Sequence, residues 1–266
     1  MKLMNISISK NRSAGLTLIE VLMVLAALMV LAAMFLLPAL SDRPVRAPRI
    51  QCVNNLKQVA LAARVWEGDN NDRYPMAVYA TNGGAYEFIH HAQQSAIPLT
   101  PTPSQIGTPP YQGRVFQVMS NELSTPKVLL CPADSFHSVA ATNFWTAGQG
   151  SGDFDLTKVS FFIGADAMES DPQMVLFGDQ NIGIQAKAGP DIPGTTRFTS
   201  LVVVTSGAIG WNANAGWAWT VDTHNKVGNL ALADGSVQQV SITGLKNALQ
   251  NGTNTVVYPV YEFWNY

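Results

Sequence analysis

The chain has 266 residues, 47% of them hydrophobic and 13% charged, with a formal net charge of -2. That is enough apolar material for one large domain or two small ones, and it excludes a disordered tail. The balance of 16 basic and 18 acidic residues argues against a nucleic-acid binder working through a broad basic surface, and two cysteines make neither a disulfide framework nor a four-cysteine zinc site.

Charge is unevenly placed. Residues 1–15 carry Lys2, Lys10 and Arg12 with no acid, while the remainder is acidic, so the two parts are expected to face different compartments. Residues 21–37 are apolar without a charge, and Leu16, Leu18, Ile19, Ala39 and Leu40 extend the run. At ~1.5 Å per residue, a helix over 16–40 covers the roughly 30 Å of a bilayer core. Basic residues ahead of it favour a cytoplasmic amino terminus. A discarded secretory signal peptide fits the same pattern. Against that stands Glu20, a carboxylate inside the apolar run, where a lone charge costs about 2.5–3.5 kcal/mol. A cut between Gly15 and Leu16 would create an α-ammonium able to meet it, along the helix or from a neighbouring helix.

The stretch Gly15-Leu16-Thr17-Leu18-Ile19-Glu20-Val21, behind a short basic leader and ahead of an apolar helix, resembles the prepilin processing site of type IV pilins and type II secretion pseudopilins. The resemblance implies cleavage after Gly15 by a prepilin peptidase, methylation of Leu16, and retention of the helix as a filament core, with Glu20 setting subunit register. Leu16 stands where the family usually has Phe; the residue stays large and apolar, so cleavage is expected to survive.

Pro38, Pro44 and Pro48 follow. A proline in a helix interior costs roughly 3 kcal/mol, so a kink near Pro38 and a hinge over 41–48 are expected, although Pro48 serves equally well as the start of a new helix. A second helix is predicted because Ile50, Val53, Leu56, Ala60, Ala63 and Trp66 recur at helical spacing. Residues 68–75 stop it. Asp69 and Asp72 read as a helix stop rather than a calcium loop, since the distal Glu is missing. Residues 52–75 also resemble the stretch after the membrane helix in many bacterial pilin-like proteins.

Five prolines within 95–114 predict a surface excursion. Strands are expected at 115–119, 128–131, 159–163, 174–177, 200–204, 217–221, 229–233 and 236–242, with Asp234-Gly235 supplying the positive φ of a hairpin turn. A short helical pattern recurs at Leu245, Ala248 and Leu249. His224, Asp234 and Gly235 resemble a His-x9-Asp-Gly signature of prepilin-like proteins. A five-residue strand would separate the two ends by about 17 Å, so turn and hydrogen-bonding roles are expected rather than a shared ion.

Cys52 and Cys131 either pair, stapling helix to sheet outside the cytoplasm, or remain two buried thiols. Asp153, Asp155, Asp166, Glu169 and Asp171 supply carboxylates for calcium, but their spacing fits no loop pattern and they read as solvated acids. Trp211, Trp217 and Trp219 are candidates for a sugar-stacking platform, with core packing the commoner role of Trp217 and Trp219. His90 and His91 read as surface residues. No metalloprotease, P-loop, Cys-x-x-Cys or nucleophile-elbow pattern occurs, so no catalytic residue, cofactor or metal is assigned.

The expected fold is α+β and pilin-like: leader 1–15, membrane-spanning helix 16–40, proline-rich hinge 41–48, and an extracytoplasmic domain over 49–266 with the second helix on an antiparallel sheet. The resemblance implies a non-enzymatic pilin or pseudopilin of a type IV pilus-like or type II secretion filament, anchored in the inner membrane and then carried into a periplasmic or extracellular polymer. Its partners would be prepilin peptidase, an inner-membrane assembly platform, related subunits and lipid, with no nucleic acid. The rival reading is a secreted or membrane-anchored binding module for a glycan or protein ligand.

Overall fold

The computed structural model describes residues 17–40, 46–89, 91, 113–145, 152–185, 192–197, 202–203, 216–252 and 260–263. Gly15, Leu16, Pro44, His90, Trp211 and the proline-rich stretch 95–112 lie outside them. The chain divides into two units, Met1–Pro44 and Val45–Tyr266.

The first unit holds helix α1, Leu18–Leu40. Every side chain described in it is exposed, from Leu18 at 82% to Met34 at 72%. Glu20 is its one charged residue. The backbone helix runs through Pro38 to Leu40. Among the described residues no helix is long and apolar enough to cross a membrane; the side-chain description of α1 stops at Met34.

The second unit opens with α2, Arg46–Gly68. This helix starts inside the expected 41–48 hinge, which corrects that boundary. Pro48 falls in its first turn, where a backbone N–H would have no partner within the helix and its loss is harmless. Leu56, Val59, Ala60 and Ala63 are fully buried, each Leu or Val contributing about 1.5–3 kcal/mol. Ile50, expected on that face, is 62% exposed. The buried face instead begins at Cys52. Beyond Gly68, Asn71 and Asp72 take left-handed backbone angles that end the helix.

Two expected strands are not strands. Residues 115–119 fall largely in α3, Arg114–Val118, followed by α4, Ser120–Leu123; of residues 128–131, Val128 and Leu129 close a 3-10 turn, Pro126–Leu129. Short apolar runs do not distinguish strand from buried helix by periodicity.

Among the described residues nine strands follow: β1 Phe161–Gly164, β2 Val175–Asp179, β3 Ile182–Gln185, β4 Gly194–Arg197, β5 Val202–Val203, β6 Trp217–Trp219, β7 Val227–Leu232, β8 Val237–Ser241 and β9 Val260–Glu262. Six form an antiparallel sheet in the order β5-β9-β1-β2-β7-β8, and three form a second, β4-β3-β6. Helix α2 packs on β2, β7 and β8, while α5, Ile242–Gly252, packs on β2, β6 and β8.

Alternation along β1 and β7 splits the core between the two faces of the large sheet. Phe161, Ile163 and Ala231 join the α2 side; Phe162, Leu230 and Leu232 join Trp217, Trp219, Leu245 and Leu249 on the other. A bulge lies in β2 between Val175 and Phe177. It lets Val175 serve one side and Phe177 the other.

The β7–β8 hairpin uses a three-residue loop. Leu232 N–H bonds Ser236 O at 2.9 Å, Gly235 N–H returns to Leu232 O at 2.9 Å, and Gly235 alone in the turn has positive φ, +82°. The turn therefore needs one left-handed glycine rather than two left-handed residues.

Candidate functional site

The amino-terminal helix begins with a reciprocal cap. Thr17 N–H donates to Glu20 Oε2 at 3.2 Å, and Glu20 N–H donates to Thr17 Oγ1 at 3.4 Å. Thr17 Oγ1 also lies 3.2 Å from the same carboxylate oxygen. This is the Thr-x-x-Glu capping box, and it places a negative charge on the positive end of the helix dipole. Glu20 is thus partly satisfied by its own helix before any neighbour is considered. The signal for it in the sequence is the Thr17-x-x-Glu20 spacing at the head of the apolar run.

His224 lies in the turn ahead of β7. It is fully buried, 3.4 Å from Cys131 Sγ and 3.3 Å from Asp179 Oδ2 through Nε2. Asp179 Oδ2 also accepts the backbone and side-chain N–H groups of Asn229, each at 2.8 Å. Arg49, in the early part of α2, donates to the His224 carbonyl at 2.9 Å. Left-handed Asn225 and Lys226 turn the chain from His224 into β7. The cluster lies on the α2 side of the sheet, and each member comes from a different element.

Cys52 and Cys131 are joined by a disulfide, with Cα atoms 4.8 Å apart at a sequence separation of 79. Asn55 Nδ2 donates to Leu130 O at 2.7 Å and Ser160 Oγ accepts Cys131 N–H at 3.0 Å, so the Leu130–Cys131 peptide group is held at both its carbonyl and its N–H. Both sulfurs and a ring nitrogen of His224 come within 4.8 Å of one another. Metal binding would require thiolates, which the disulfide does not offer. The cluster is a covalent staple with an imidazole packed on it.

Asp234 and Gly235 lie at the opposite end of β7 from His224. Asp234 Oδ1 accepts Ser236 N–H at 2.8 Å. The three signature residues fix the two ends of one strand and do not converge on a common ligand.

A second buried polar group was not foreseen. Asp134 and His137 pair at 2.5 Å through Oδ2 and Nδ1, and Arg197 of β4 approaches Asp134 Oδ1 at 3.6 Å while covering the Phe136 ring at 4.3 Å. Burial opposes ionisation of Asp134, but the His137 hydrogen bond and charge, Arg197 and the Phe136 N–H together lower its pKa. The Asp-x-x-His spacing was the available signal. His91, expected at the surface, has a side chain 8% exposed, stacked on Tyr86 at 4.3 Å and 3.3 Å from Asp166.

The five loop carboxylates are divided among separate tasks. Asp153 accepts Thr142 N–H and Oγ1 and pairs with Lys158 at 3.0 Å; Asp155 caps a 3-10 turn through Thr157 N–H at 2.7 Å. Asp166 takes His91 and Val260 N–H, Glu169 lies 3.9 Å from Arg64, and Asp171 accepts Gln173 N–H. The Lys158 ammonium, against some desolvation, and the Thr142 and Asn143 donors bring Asp153 down to about 2. A lowered carboxylate pKa gives a contribution complete above the ordinary 3.8 and lost as pH falls through about 2. Limited proteolysis at falling pH is expected to show the 142–158 region opening across that window. Asp153→Asn should show the opened state already at neutral pH, with no further acid step.

Trp217 and Trp219 are buried at 3% and 0% and form no platform.

No curated protein and no solved structure matched the chain. Residues 10–36 match the family described as the prokaryotic N-terminal methylation motif. The match includes Gly15, Leu16, Thr17 and Glu20. The amino-terminal segment thus carries a methylation motif consistent with a type IV pilin-like precursor.

Proposed function

We propose that this chain is a structural subunit, a pilin or pseudopilin, of a type IV pilus-like or type II secretion filament. The observation that carries the reading is the methylation motif over residues 10–36 leading into a helix whose described side chains are all exposed and almost all apolar. Such a surface needs a cover. Lipid supplies it in the precursor, and sister helices supply it in the polymer. In this reading residues 16–40 span the inner membrane with the leader in the cytoplasm, a prepilin peptidase cuts after Gly15 and methylates Leu16, and an assembly platform extracts the helix into a filament. Glu20 then meets the new ammonium of a neighbouring subunit while Thr17 keeps it oriented. The role is structural and not catalytic.

Intact mass measurement of the chain from native membranes is expected to find a mature amino terminus at Leu16 carrying one added methyl group. A mature chain beginning beyond Ala33 would overturn the reading in favour of a secreted module. In the same cells, Glu20→Gln should leave the subunit in the membrane but abolish filaments seen by electron microscopy; undiminished filaments would contradict the assigned role of the acid.

A further inference from the structure

One surface feature stands apart from both the processing segment and the His224 cluster. A cleft of about 430 Å³ lies between α3–α4 and residues 142–145, within the ~300–1,000 Å³ range of small-ligand sites. Its chemistry is unusual for this chain. Trp145 on its rim is 61% exposed, whereas Trp66, Trp217 and Trp219 are 7%, 3% and 0%. Leaving an indole face in water is unfavourable unless something covers it.

Around that ring the lining is amide and hydroxyl. Gln117, Asn121 and Asn143 contribute side-chain amides and Ser120 a hydroxyl. Among the described residues, Arg114 is the one charged lining residue and no carboxylate lines the cleft. Among the described residues, the Arg114 guanidinium and the Asn121 amide make no hydrogen bond within the protein, so both remain available to a ligand.

The rim is held in place. Gln117 Nε2 donates to Phe144 O at 2.9 Å, Asn143 Oδ1 accepts Trp145 N–H at 2.9 Å, and Asp153 accepts Thr142 N–H at 3.0 Å. Ser124, also lining the cleft, has φ of +61° without being glycine. Strain of that kind persists where surrounding structure enforces it, and it clusters at ligand sites.

We propose that this cleft binds an acidic saccharide of the uronic-acid type. A pyranose has an apolar C–H face for the Trp145 indole and a rim of hydroxyls for amides that both donate and accept. A ring carboxylate is the group that a planar guanidinium without a carboxylate partner recognises best, through paired hydrogen bonds. A neutral sugar would leave Arg114 unused, and a bare anion would leave Trp145 and the amides unused.

The test uses the full chain in a zwitterionic detergent without a sugar headgroup, titrated with trigalacturonate and with neutral maltotriose, and followed by calorimetry and tryptophan fluorescence. Trigalacturonate is expected to bind and shift the fluorescence, with maltotriose weaker by about tenfold or more. Trp145→Ala and Arg114→Gln should each weaken trigalacturonate by about tenfold. Thermal unfolding of both variants should be unchanged, which separates a lost contact from a lost fold. Absence of binding up to about 10 mM, equal binding by both variants, or equal affinity for maltotriose would overturn the proposal. None of these outcomes bears on the mature amino terminus.

Discussion

Replacing Cys52 and Cys131 together by alanine is expected to lower stability by about 4.5 kcal/mol, the chain-entropy value for releasing a loop of 79 residues. The native contacts around the bond give no relief. Both residues are almost completely buried, and the elements they join meet deep in the core on the α2 side. The double replacement also removes the sulfur against which His224 rests, leaving Asp179 and Asn229 to hold the ring. Denaturant titration of the oxidised protein, the reduced protein and the double variant is the measurement. Reduced protein and double variant should fall together, well below the oxidised chain; a loss under about 1 kcal/mol would mean that the staple constrains little in the unfolded chain.

Gly228→Ala is expected to cost about 3 kcal/mol, the upper end of the range for overpacking a core. Gly228 lies on β7 directly beneath Trp219 of β6. A Cβ added there would meet Cζ3 of the indole at 2.4 Å, with two further ring atoms at 2.5 Å. Trp219 is fully buried among Trp217, Leu230, Leu245 and Tyr261 and has nowhere to retreat. Trp219→Ala alone should cost about 3–5 kcal/mol through the cavity it leaves. The double variant should cost less than the sum, because the new methyl occupies space that the ring vacated. Strict additivity in equilibrium unfolding would show that the ring and the glycine are not in the contact described.

How far the sequence reached can be seen residue by residue. The processing motif was legible because its parts are contiguous and each imposes a chemical demand on the next. Helix α2 was legible through its spacing, and the β7–β8 hairpin through Asp234-Gly235, although the loop proved to be of the three-residue type. What failed was of two kinds. Val115 and Val128 lie in apolar runs too short to carry a period, and both became helical. Strands β3, β4 and β9 went unread; Ile182 and Tyr261 pair with strands far along the chain, while Arg197 pairs with Gly183 of the preceding strand in runs too short to carry a period. The His224 cluster failed for the same reason. Its partners Asp179 and Cys131 lie 45 and 93 residues away, and nothing local marks a histidine as buried. The staple itself stayed undecided between bond and thiols because distance in sequence carries no information on proximity.

The position of the staple bears on how the second unit would resist a pull. Tension delivered along the chain at residue 45 enters α2 at Arg46 and meets the Cys52–Cys131 bond after six residues, about two helical turns. Unwinding can proceed no further without breaking a covalent link, so the load passes sideways into the segment anchored by Asn55 and Ser160. The hydrogen bonds and apolar contacts of α2 from Leu56 to Trp66, inside the loop that the bond closes, are shielded from that force. A polymer built of such subunits would yield first in the few residues ahead of Cys52, leaving the rest of each globular unit intact under strain.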